Sequence, residues 1–319
     1  MATCRPTGSL CPRRYPETVN GEQDAAPYVT VVLPCYNEQD HVGREVERIS
    51  AALDESSYTY ELLAVDDKST DDTLDRLREL EPRFPNLEVV AFQTNGGSGT
   101  VRRIGSQQAR GAIVVWTDAD MTYPNERIPE LVAYLDDNPG YDQVVGARTS
   151  EKGTHRFARV PAKWTIRKIA EYLSGASIPD LNSGLRAFRA DVGRPYLRLL
   201  PAGFSCVTTI TLAFLQNQQP VAYIPIDYAT RAGSSKFHPF KDAYRYILQV
   251  LRMVMFFNPL KVLMPVAITL AALGTVKLIF DQFEAPFRLA NNTVLILLTG
   301  LIIGSIALLA DLIVRSRAP

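Results

Sequence analysis

The chain has few cysteines and no excess of charge of either sign. Its four cysteines are Cys4, Cys11, Cys35 and Cys206. Their scatter predicts reduced thiols in a cytosolic compartment rather than a metal-ligand cluster, with a Cys4–Cys11 disulfide as the alternative. Lysine plus arginine and aspartate plus glutamate each total 34. Nucleic acid is therefore not expected as a partner, because binding to a phosphate backbone needs a basic surplus.

Two further features are missing from the sequence. Residues 1–26 hold no apolar segment of the kind found in a secretory signal peptide, and their composition predicts a disordered N-terminal tail. No Gly-x-Gly-x-x-Gly follows the first predicted strand, which excludes a dinucleotide-dependent oxidoreductase. Apolar residues, by contrast, make up 46% of the 319 residues, enough to bury one sizeable core.

Segments with strand and helix patterns alternate between about residues 28 and 219. Apolar runs predict strands over 29–33, 62–65, 87–92, 112–117 and 143–147. Helical spacing predicts helices over 38–53, 70–80, 99–110 and 126–136. Thr70 or Asp71 is the expected N-cap of the second helix. The alternation predicts an α/β fold, with a mainly parallel sheet covered by helices on both faces.

Polar clusters follow three of the predicted strands. They are Pro34 to Glu38, the pair Asp66-Asp67, and Asp118-Ala119-Asp120. Ligands of parallel sheets bind at the carboxyl ends of strands, where strand order switches. Two neighbouring carboxylates repel and are costly to bury, and a divalent cation removes both penalties. Hard oxygen ligands suit Mg²⁺ or Mn²⁺, so Asp118 and Asp120 are the candidate metal ligands, with an ordinary acidic loop as the alternative.

The C-terminal third of the sequence is strongly apolar. It contains two apolar runs with few or no charged residues. A helix rises about 1.5 Å per residue, so each run is about long enough to cross a hydrocarbon core of roughly 30 Å. They predict a transmembrane hairpin over residues 259–319, with spans of about 262–280 and 293–314, or alternatively a pair of buried core helices. Residues 237–258 predict an amphipathic helix in the membrane interface, or a linker helix packed on the preceding domain.

Basic residues flank the outer ends of the two spans. These residues are Arg245, Arg252 and Lys261 before the hairpin and Arg315 and Arg317 after it. The connecting loop has only Arg288, beside Asp281 and Glu284. The positive-inside rule therefore predicts both termini, and the domain before the spans, in the cytoplasm, at a bacterial inner membrane or the endoplasmic reticulum. Gly300 and Gly304 form a Gly-x-x-x-Gly that packs helices within the hairpin or between protomers of a homo-oligomer.

The three polar clusters together resemble those of family 2 glycosyltransferases. Val-Leu-Pro-Cys-Tyr-Asn-Glu at 32–38, Val-Asp-Asp-Lys-Ser-Thr-Asp at 65–71 and Thr-Asp-Ala-Asp at 117–120 stand in that family's order and spacing. The resemblance implies a GT-A catalytic domain over 27–236 that inverts the anomeric centre. Ser-Gly-Leu-Arg at 183–186, Arg-Ala-Gly-Ser-Ser-Lys at 231–236 and the membrane spans resemble the polyprenyl-phosphate branch. Dolichyl-phosphate mannose synthase and bacterial polyprenyl-phosphate glucosyltransferases belong to that branch.

The resemblance implies the donor side of the site. The implied donor is a nucleotide sugar, GDP-mannose or a UDP-sugar. The residues implied to bind its nucleoside are Pro34, Tyr36, Glu38, Asp66 and Asp67. Asp118 and Asp120 are implied to hold Mg²⁺ or Mn²⁺ on its diphosphate. Thr122 stands where the family often has a glutamine two residues after the second aspartate.

The acceptor implied by the resemblance is a polyprenyl or dolichyl phosphate among membrane lipids. Such a phosphate is already ionised near neutral pH, so it needs a cationic cradle rather than a strong general base. The candidate cradle residues are Arg148, Arg186, Arg231, Ser235 and Lys236, with solvated surface charges as the alternative. Asp180 is the candidate for orienting the acceptor side, or for a general base with a hydroxyl acceptor; a turn-forming aspartate is the alternative.

A glycine-rich segment, Asn95 to Gly99, lacks the Gly-Lys-Ser/Thr ending of a P-loop. It predicts a flexible loop leading into a helix near the donor, with Arg102 and Arg103 as further diphosphate candidates. The sequence as a whole predicts a membrane-anchored, metal-dependent, inverting hexosyltransferase acting on a polyprenyl phosphate at the cytoplasmic face. The alternatives are transfer to another lipid or to a polysaccharide, and a non-catalytic membrane scaffold that binds nucleotide sugars.

Overall fold

The computed structural model describes residues 26–149, 168, 171–172, 175–203, 205–229, 255, 258–284 and 289–316. These residues fall into two compact units. The first contains 26–149, 183–203 and 219–229, and the second contains the remaining described residues. The predicted tail up to residue 25, the motif at 231–236 and most of the predicted interfacial helix lie outside the described residues.

The first unit is built on a sheet of seven described strands. They are β1 Val29–Cys35, β2 Tyr60–Asp66, β3 Leu87–Ala91, β4 Ile113–Trp116, β5 Gln143–Arg148, β6 Arg186–Arg189 and β7 Val221–Ile226. Their order is β3-β2-β1-β4-β6-β5-β7. Only β6 among the described strands runs antiparallel to its neighbours, so the predicted mainly parallel α/β sheet is confirmed. Strands β1 and β2 are buried on both faces, which explains their nearly unbroken apolar sequence.

The strand order switches between β1 and β4. From β1 the chain adds β2 and β3 on one side and then returns to place β4 on the other side. The carboxyl ends of β1, β2 and β4 point to the same edge of the sheet because these strands are parallel. All three polar clusters noted in the sequence therefore follow strands that end at this edge.

The described part of the first unit has a short α-helix, Ala190–Gly193, after β6, and four longer α-helices between its strands. The four longer helices are α1 Val42–Asp54, α2 Thr73–Leu80, α3 Ser98–Gln108 and α4 Ile128–Asp137. The predicted starts at residues 38 and 70, and the predicted caps Thr70 and Asp71, are wrong: α2 has Asp72 as its N-cap residue. The carboxylate of Asp71 instead accepts the Thr73 amide at 3.1 Å. The Asp71 side chain thus holds the backbone in a turn just before α2 begins.

Strand β6 was not predicted from the sequence. It is only four residues long and begins and ends with an arginine, so it shows no strand pattern. Its register opposes Arg186 to Trp116 at the end of β4. The segment that leads into β6, including Gly184, is thereby brought beside the turn that carries Asp118 and Asp120.

The second unit contains the helices Cys206–Gln216, Pro259–Glu284 and Asn291–Ser316. The last two contain stretches, Pro259–Phe283 and Asn291–Val314, that are long and apolar enough to cross a membrane. They pack closely at Gly300, where an added Cβ would lie 3.1 Å from the Ala271 amide nitrogen and 3.2 Å from the Ala267 carbonyl oxygen. The Gly-x-x-x-Gly sequence therefore packs helices within the hairpin, as one of its two predicted alternatives required.

Candidate active site

Turns at this sheet edge adopt a conformation that is unfavourable for most residues. Asn37 after β1, Lys68 after β2 and Met121 after β4 have φ values of 56°, 60° and 60°. A left-handed conformation costs an L-residue roughly 1–2 kcal/mol. Such strained turns persist only where their surroundings hold them, and they concentrate at functional sites.

The turns after β1 and β2 are bonded to each other. The side-chain oxygen of Asn37 accepts the Thr70 amide at 2.8 Å, and the Asn37 amide donates to the Ser69 hydroxyl at 3.0 Å. The Glu38 amide donates to the Thr73 hydroxyl at 2.8 Å. These contacts make the two loops that carry the predicted donor residues a single, fixed surface.

The predicted donor residues on this surface differ in exposure. Tyr36 is 48% exposed and Pro34 is partly exposed, so both are accessible. The Glu38 carboxylate lies 3.0 Å from Nδ1 of His41. Asp66 and Asp67 are both buried, so they belong to the base of the surface.

The two aspartates after β2 are held by backbone amides. Asp66 accepts the Ser69 amide at 3.1 Å, and Asp67 accepts the amides of Gly96 and Gly97 at 2.6 and 2.8 Å. These bonds hold the glycine-rich segment against Asp67, where it leads into α3 as predicted. The flexibility of this loop stays a prediction. An added Cβ at Gly99 would lie 1.9 Å from the Pro201 carbonyl oxygen, so this glycine permits close backbone approach.

Asp118 is paired with an arginine that the sequence did not single out for this role. Nη2 of Arg102 donates to Oδ1 of Asp118 at 2.5 Å and to the Thr117 carbonyl oxygen at 3.1 Å. The Arg102 side chain is buried, whereas Asp118 is 30% exposed. Arg102 therefore fixes the orientation of Asp118 and does not face solvent as the predicted diphosphate-binding residue would.

Asp120 is oriented from within its own turn. The Thr122 hydroxyl donates to Oδ1 of Asp120 at 2.5 Å, and Thr122 is buried. A short side chain at this position thus reaches back to Asp120. This hydroxyl–carboxylate bond lies at the place where the sequence departs from the family pattern.

Gly184 lies against Asp118. An added Cβ at Gly184 would be 2.6 Å from Oδ2 of Asp118, and the Gly184 amide donates to the Tyr123 hydroxyl at 2.7 Å. Burial, followed by the charge of Asp118, raises the pKa of Tyr123 well above its usual value. Tyr123 therefore remains a neutral phenol that ties the segment before β6 to the Asp118 turn.

Arg148 stands at the end of β5 beside two tyrosines that pack against each other. Its guanidinium carbon lies 5.2 Å from the centre of the Tyr228 ring, a cation–π distance. Tyr228 in turn packs edge-on against Tyr123, with ring centres 5.1 Å apart. The positive charge of Arg148 offsets part of the rise in the pKa of Tyr123. The ring contacts place this predicted acceptor residue near the Asp118 turn.

Two other predicted acceptor-side residues have different surroundings. Arg186 is buried, with its guanidinium 6.0 Å from the Trp116 ring centre and a bond to the Ser183 carbonyl oxygen. Asp180 belongs to the second unit, where its carboxylate accepts the Asn182 amide at 2.9 Å. The structure thus places Arg186 in the core and Asp180 in a turn, and their roles at an acceptor remain predictions.

The chemistry of the Asp118 turn fits a divalent cation that keeps other ligands. Two carboxylates stand one residue apart in one partly exposed turn. No cluster of three or more acidic, histidine or cysteine side chains occurs among the described residues. Mg²⁺ and Mn²⁺ commonly use one or two carboxylates and complete their shell with water and substrate phosphates.

Family models match the chain in two places. Residues 30–193 match the family described as glycosyl transferase family 2, and residues 258–316 match the GtrB C-terminal hairpin. The first match covers the sheet edge with all three polar clusters. The chain therefore belongs to glycosyl transferase family 2, and the resemblance seen in its motifs is confirmed.

Similar proteins include two kinds of polyprenyl-phosphate enzyme. Undecaprenyl-phosphate 4-deoxy-4-formamido-L-arabinose transferase of Edwardsiella ictaluri is 33% identical over 66% of this chain and 63% of the relative. Dodecaprenyl-phosphate galacturonate synthase of Rhizobium johnstonii is 26% identical over 94% of this chain and 92% of the relative. The chain thus matches less than two thirds of the length of the Edwardsiella relative.

Solved structures show the same fold at low sequence identity. Glucosyl-3-phosphoglycerate synthase from Mycobacterium tuberculosis, in complex with Mn²⁺, UDP-glucose and phosphoglyceric acid, has a TM-score of 0.56 and 19% identity. The match covers 72% of this chain and 80% of that chain. The predicted GT-A fold is thereby confirmed.

Proposed function

We propose that the protein is a membrane-anchored, inverting glycosyltransferase that moves one sugar from a nucleotide sugar to a polyprenyl phosphate. The observation that carries this proposal is the position of Asp118 and Asp120. They lie in one turn at the switch in strand order, beside the loops after β1 and β2. The candidate membrane hairpin in the same chain supports a lipid acceptor.

On this proposal, Asp118 and Asp120 hold Mg²⁺ or Mn²⁺ against the donor diphosphate. The cation would neutralise the charge that develops on the leaving diphosphate. Arg102 holds Asp118 in place through its guanidinium, and Thr122 holds Asp120 through its hydroxyl. The Mn²⁺ and UDP-glucose bound by the fold neighbour from Mycobacterium tuberculosis are consistent with this assignment.

The nucleoside of the donor would lie on the joined loops after β1 and β2. Tyr36 offers an exposed aromatic ring, and Pro34 and Glu38 lie on the same loop. Asp66 and Asp67 shape this surface from beneath and would contact the base and ribose. The amides that bond Asp66 and Asp67 fix those two carboxylates before any ligand arrives.

The acceptor phosphate would approach from the side of Arg148. After β7 the chain runs beside the turn that carries Asp118. There the Ala229 amide donates to the Thr122 carbonyl oxygen at 2.9 Å. Ala229 is the last described residue before Arg231, Ser235 and Lys236, the other proposed phosphate-binding residues. A phosphate oxygen is itself the nucleophile in this reaction, so no side chain needs to act as a strong base. Arg186 would support this region from the core.

The relatives support the class of acceptor and leave the sugar open. Their names specify undecaprenyl and dodecaprenyl phosphates, and their sugars are a formamido-arabinose and galacturonate. We therefore propose a polyprenyl phosphate as acceptor and a GDP- or UDP-sugar as donor. The basic residues flanking the hairpin, such as Lys261, support a cytoplasmic catalytic domain.

A comparison of acceptors tests this proposal. Full-length protein in detergent receives Mn²⁺ and a nucleotide sugar together with polyprenyl phosphate, with the matching polyprenol, or with no lipid. We expect the nucleoside diphosphate, UDP or GDP, to be released only when polyprenyl phosphate is present. Release with polyprenol would instead indicate a hydroxyl acceptor, in which case Asp180 becomes the candidate general base. Release at the same rate with polyprenyl phosphate, with polyprenol and without lipid would contradict the proposed acceptor.

A further inference from the structure

Helix α1 carries a buried carboxylate among buried residues that are mostly apolar. Glu45 is 0% exposed and lies on the same face as Val42, Val46 and Ile49. Burial raises the pKa of its carboxyl, while bonds from Asn125 and Arg48 act in the opposite direction. A buried carboxylate is costly unless it is fully bonded, and an apolar side chain would fill the same space without that cost.

The partners of Glu45 all lead to the turn that carries Asp118 and Asp120. Nδ2 of Asn125 donates to Glu45 at 2.8 Å, and Nη2 of Arg48 donates to it at 2.7 Å. The backbone N–H of Met121 donates to the same carboxylate. Met121 is the residue with left-handed φ between Asp120 and Thr122, so Glu45 bonds the strained point of the turn directly.

Asn125 and Arg48 extend the contact to both ends of the turn. The Asn125 side-chain oxygen accepts the Thr117 hydroxyl, and its Nδ2 lies 3.4 Å from the Asp118 carbonyl oxygen. Nη2 of Arg48 donates to the Tyr123 carbonyl oxygen at 2.5 Å. The turn from Thr117 to Tyr123 is therefore bonded at its start, middle and end by one network centred on the buried Glu45.

We propose that Glu45, together with Asn125, is a positioning residue that holds the Asp118–Asp120 turn in the conformation that binds the metal. This inference rests on the proposed function, because it assigns the metal to that turn. The network acts from behind the turn, whereas Arg102 and Thr122 bond the two carboxylates themselves. Loss of residues that orient metal ligands typically weakens metal binding by about 10- to 100-fold.

The test measures Mn²⁺ binding by the full-length protein in detergent, with UDP or GDP present. Binding is monitored as the loss of the electron paramagnetic resonance signal of free Mn²⁺. Glu45→Gln keeps the size of the side chain but replaces one carboxylate oxygen with an NH₂ group. That group is a donor facing the donors of Arg48, Asn125 and Met121. We expect the Kd of this variant for Mn²⁺ to rise roughly tenfold. Glu47→Gln is the matched control, since Glu47 lies on the exposed face of α1, 3.7 Å from the exposed Arg83.

A double variant separates positioning from general destabilisation. In Glu45→Gln/Asn125→Asp the introduced amide can donate to the introduced carboxylate, which still accepts the Thr117 hydroxyl. We expect this double variant to recover several-fold of the lost Mn²⁺ affinity. Unchanged Mn²⁺ affinity in Glu45→Gln would overturn the inference, as would a loss that tracks a lower melting temperature and shows no recovery. A wild-type protein that binds no Mn²⁺ would overturn the metal assignment itself and this inference with it.

Discussion

The guanidinium of the buried Arg102 lies 2.5 Å from the carboxylate of Asp118, which is 30% exposed. The pair joins helix α3 to the turn after β4. Removing one member of a buried ion pair leaves the other charge without its partner. The position of the Asp118 carboxylate therefore depends on α3, which carries Arg102. Arg102 also contributes a positive charge to the site.

Replacement of Arg102 tests this dependence. We expect Arg102→Ala to abolish most turnover and to lower the free energy of unfolding by at most about 3 kcal/mol, because Asp118 is partly exposed. Arg78→Ala, on the exposed side of α2, is the control. Sugar transfer and thermal unfolding are measured on the same preparations. Wild-type turnover in Arg102→Ala would show that Asp118 needs no such support.

Gly184 provides a steric test of the segment before β6. A methyl group at this position would lie 2.6 Å from Oδ2 of Asp118, so Gly184→Ala must displace the carboxylate or the backbone. We expect a fall in kcat of at least about tenfold, since small displacements of reacting groups reduce rates strongly. Gly140→Ala is the matched control, because nothing lies within 4 Å of the added atom. Equal kcat values for the two variants would contradict the proposed closeness of Gly184 to the reaction.

Thr122 tests how Asp120 is oriented. Thr122→Val keeps the volume but removes the hydroxyl that donates to Asp120 at 2.5 Å. We expect the Mn²⁺ concentration for half-maximal activity to rise about tenfold, and Thr122→Ser to restore most of the loss. The measurement is turnover as a function of Mn²⁺ concentration. If the serine variant behaves like the valine variant, the hydroxyl is not the group that matters.

Tyr228 tests the proposed acceptor side. Tyr228→Leu removes the ring that lies 5.2 Å from the Arg148 guanidinium, whereas Tyr228→Phe keeps it. A cation–π contact of this kind contributes about 0.5–1 kcal/mol at an accessible site. We expect a several-fold higher KM for polyprenyl phosphate in the leucine variant, with the KM for the nucleotide sugar unchanged. A change confined to the donor KM would place Arg148 on the donor side instead.

The arrangement of the sheet edge could largely be predicted from the sequence, and its supporting contacts could not. Parallel strands direct their carboxyl ends to one edge, so the clusters at Glu38, Asp67 and Asp120 had to converge once the alternation was recognised. The pairing of Arg102 with Asp118 had no comparable signal, because Arg102 and Arg103 look alike in the sequence. Which of them is buried is set by how α3 packs, a tertiary property.

Helix starts and the antiparallel strand show a second limit of sequence reasoning. Helical patterns predicted α2 from residue 70, but the Asp71 carboxylate accepts the Thr73 amide and the helix begins at Thr73. Strand β6 begins and ends with buried arginines, which a hydrophobic pattern cannot reveal. A side-chain bond to the backbone sets the turn before α2, and pairing with β4 and β5 sets β6. A hydrophobic pattern records neither.

The most direct test of the central claim is the formation of a lipid-linked sugar phosphate. Full-length protein in detergent is incubated with polyprenyl phosphate, Mg²⁺ or Mn²⁺, and separate pools of GDP-mannose, UDP-glucose and UDP-N-acetylhexosamine, and the lipids are analysed by mass spectrometry. The account predicts a glycosylated polyprenyl phosphate with one donor pool, lost with EDTA and in Asp120→Asn. Product that forms equally well with EDTA and in Asp120→Asn would contradict it.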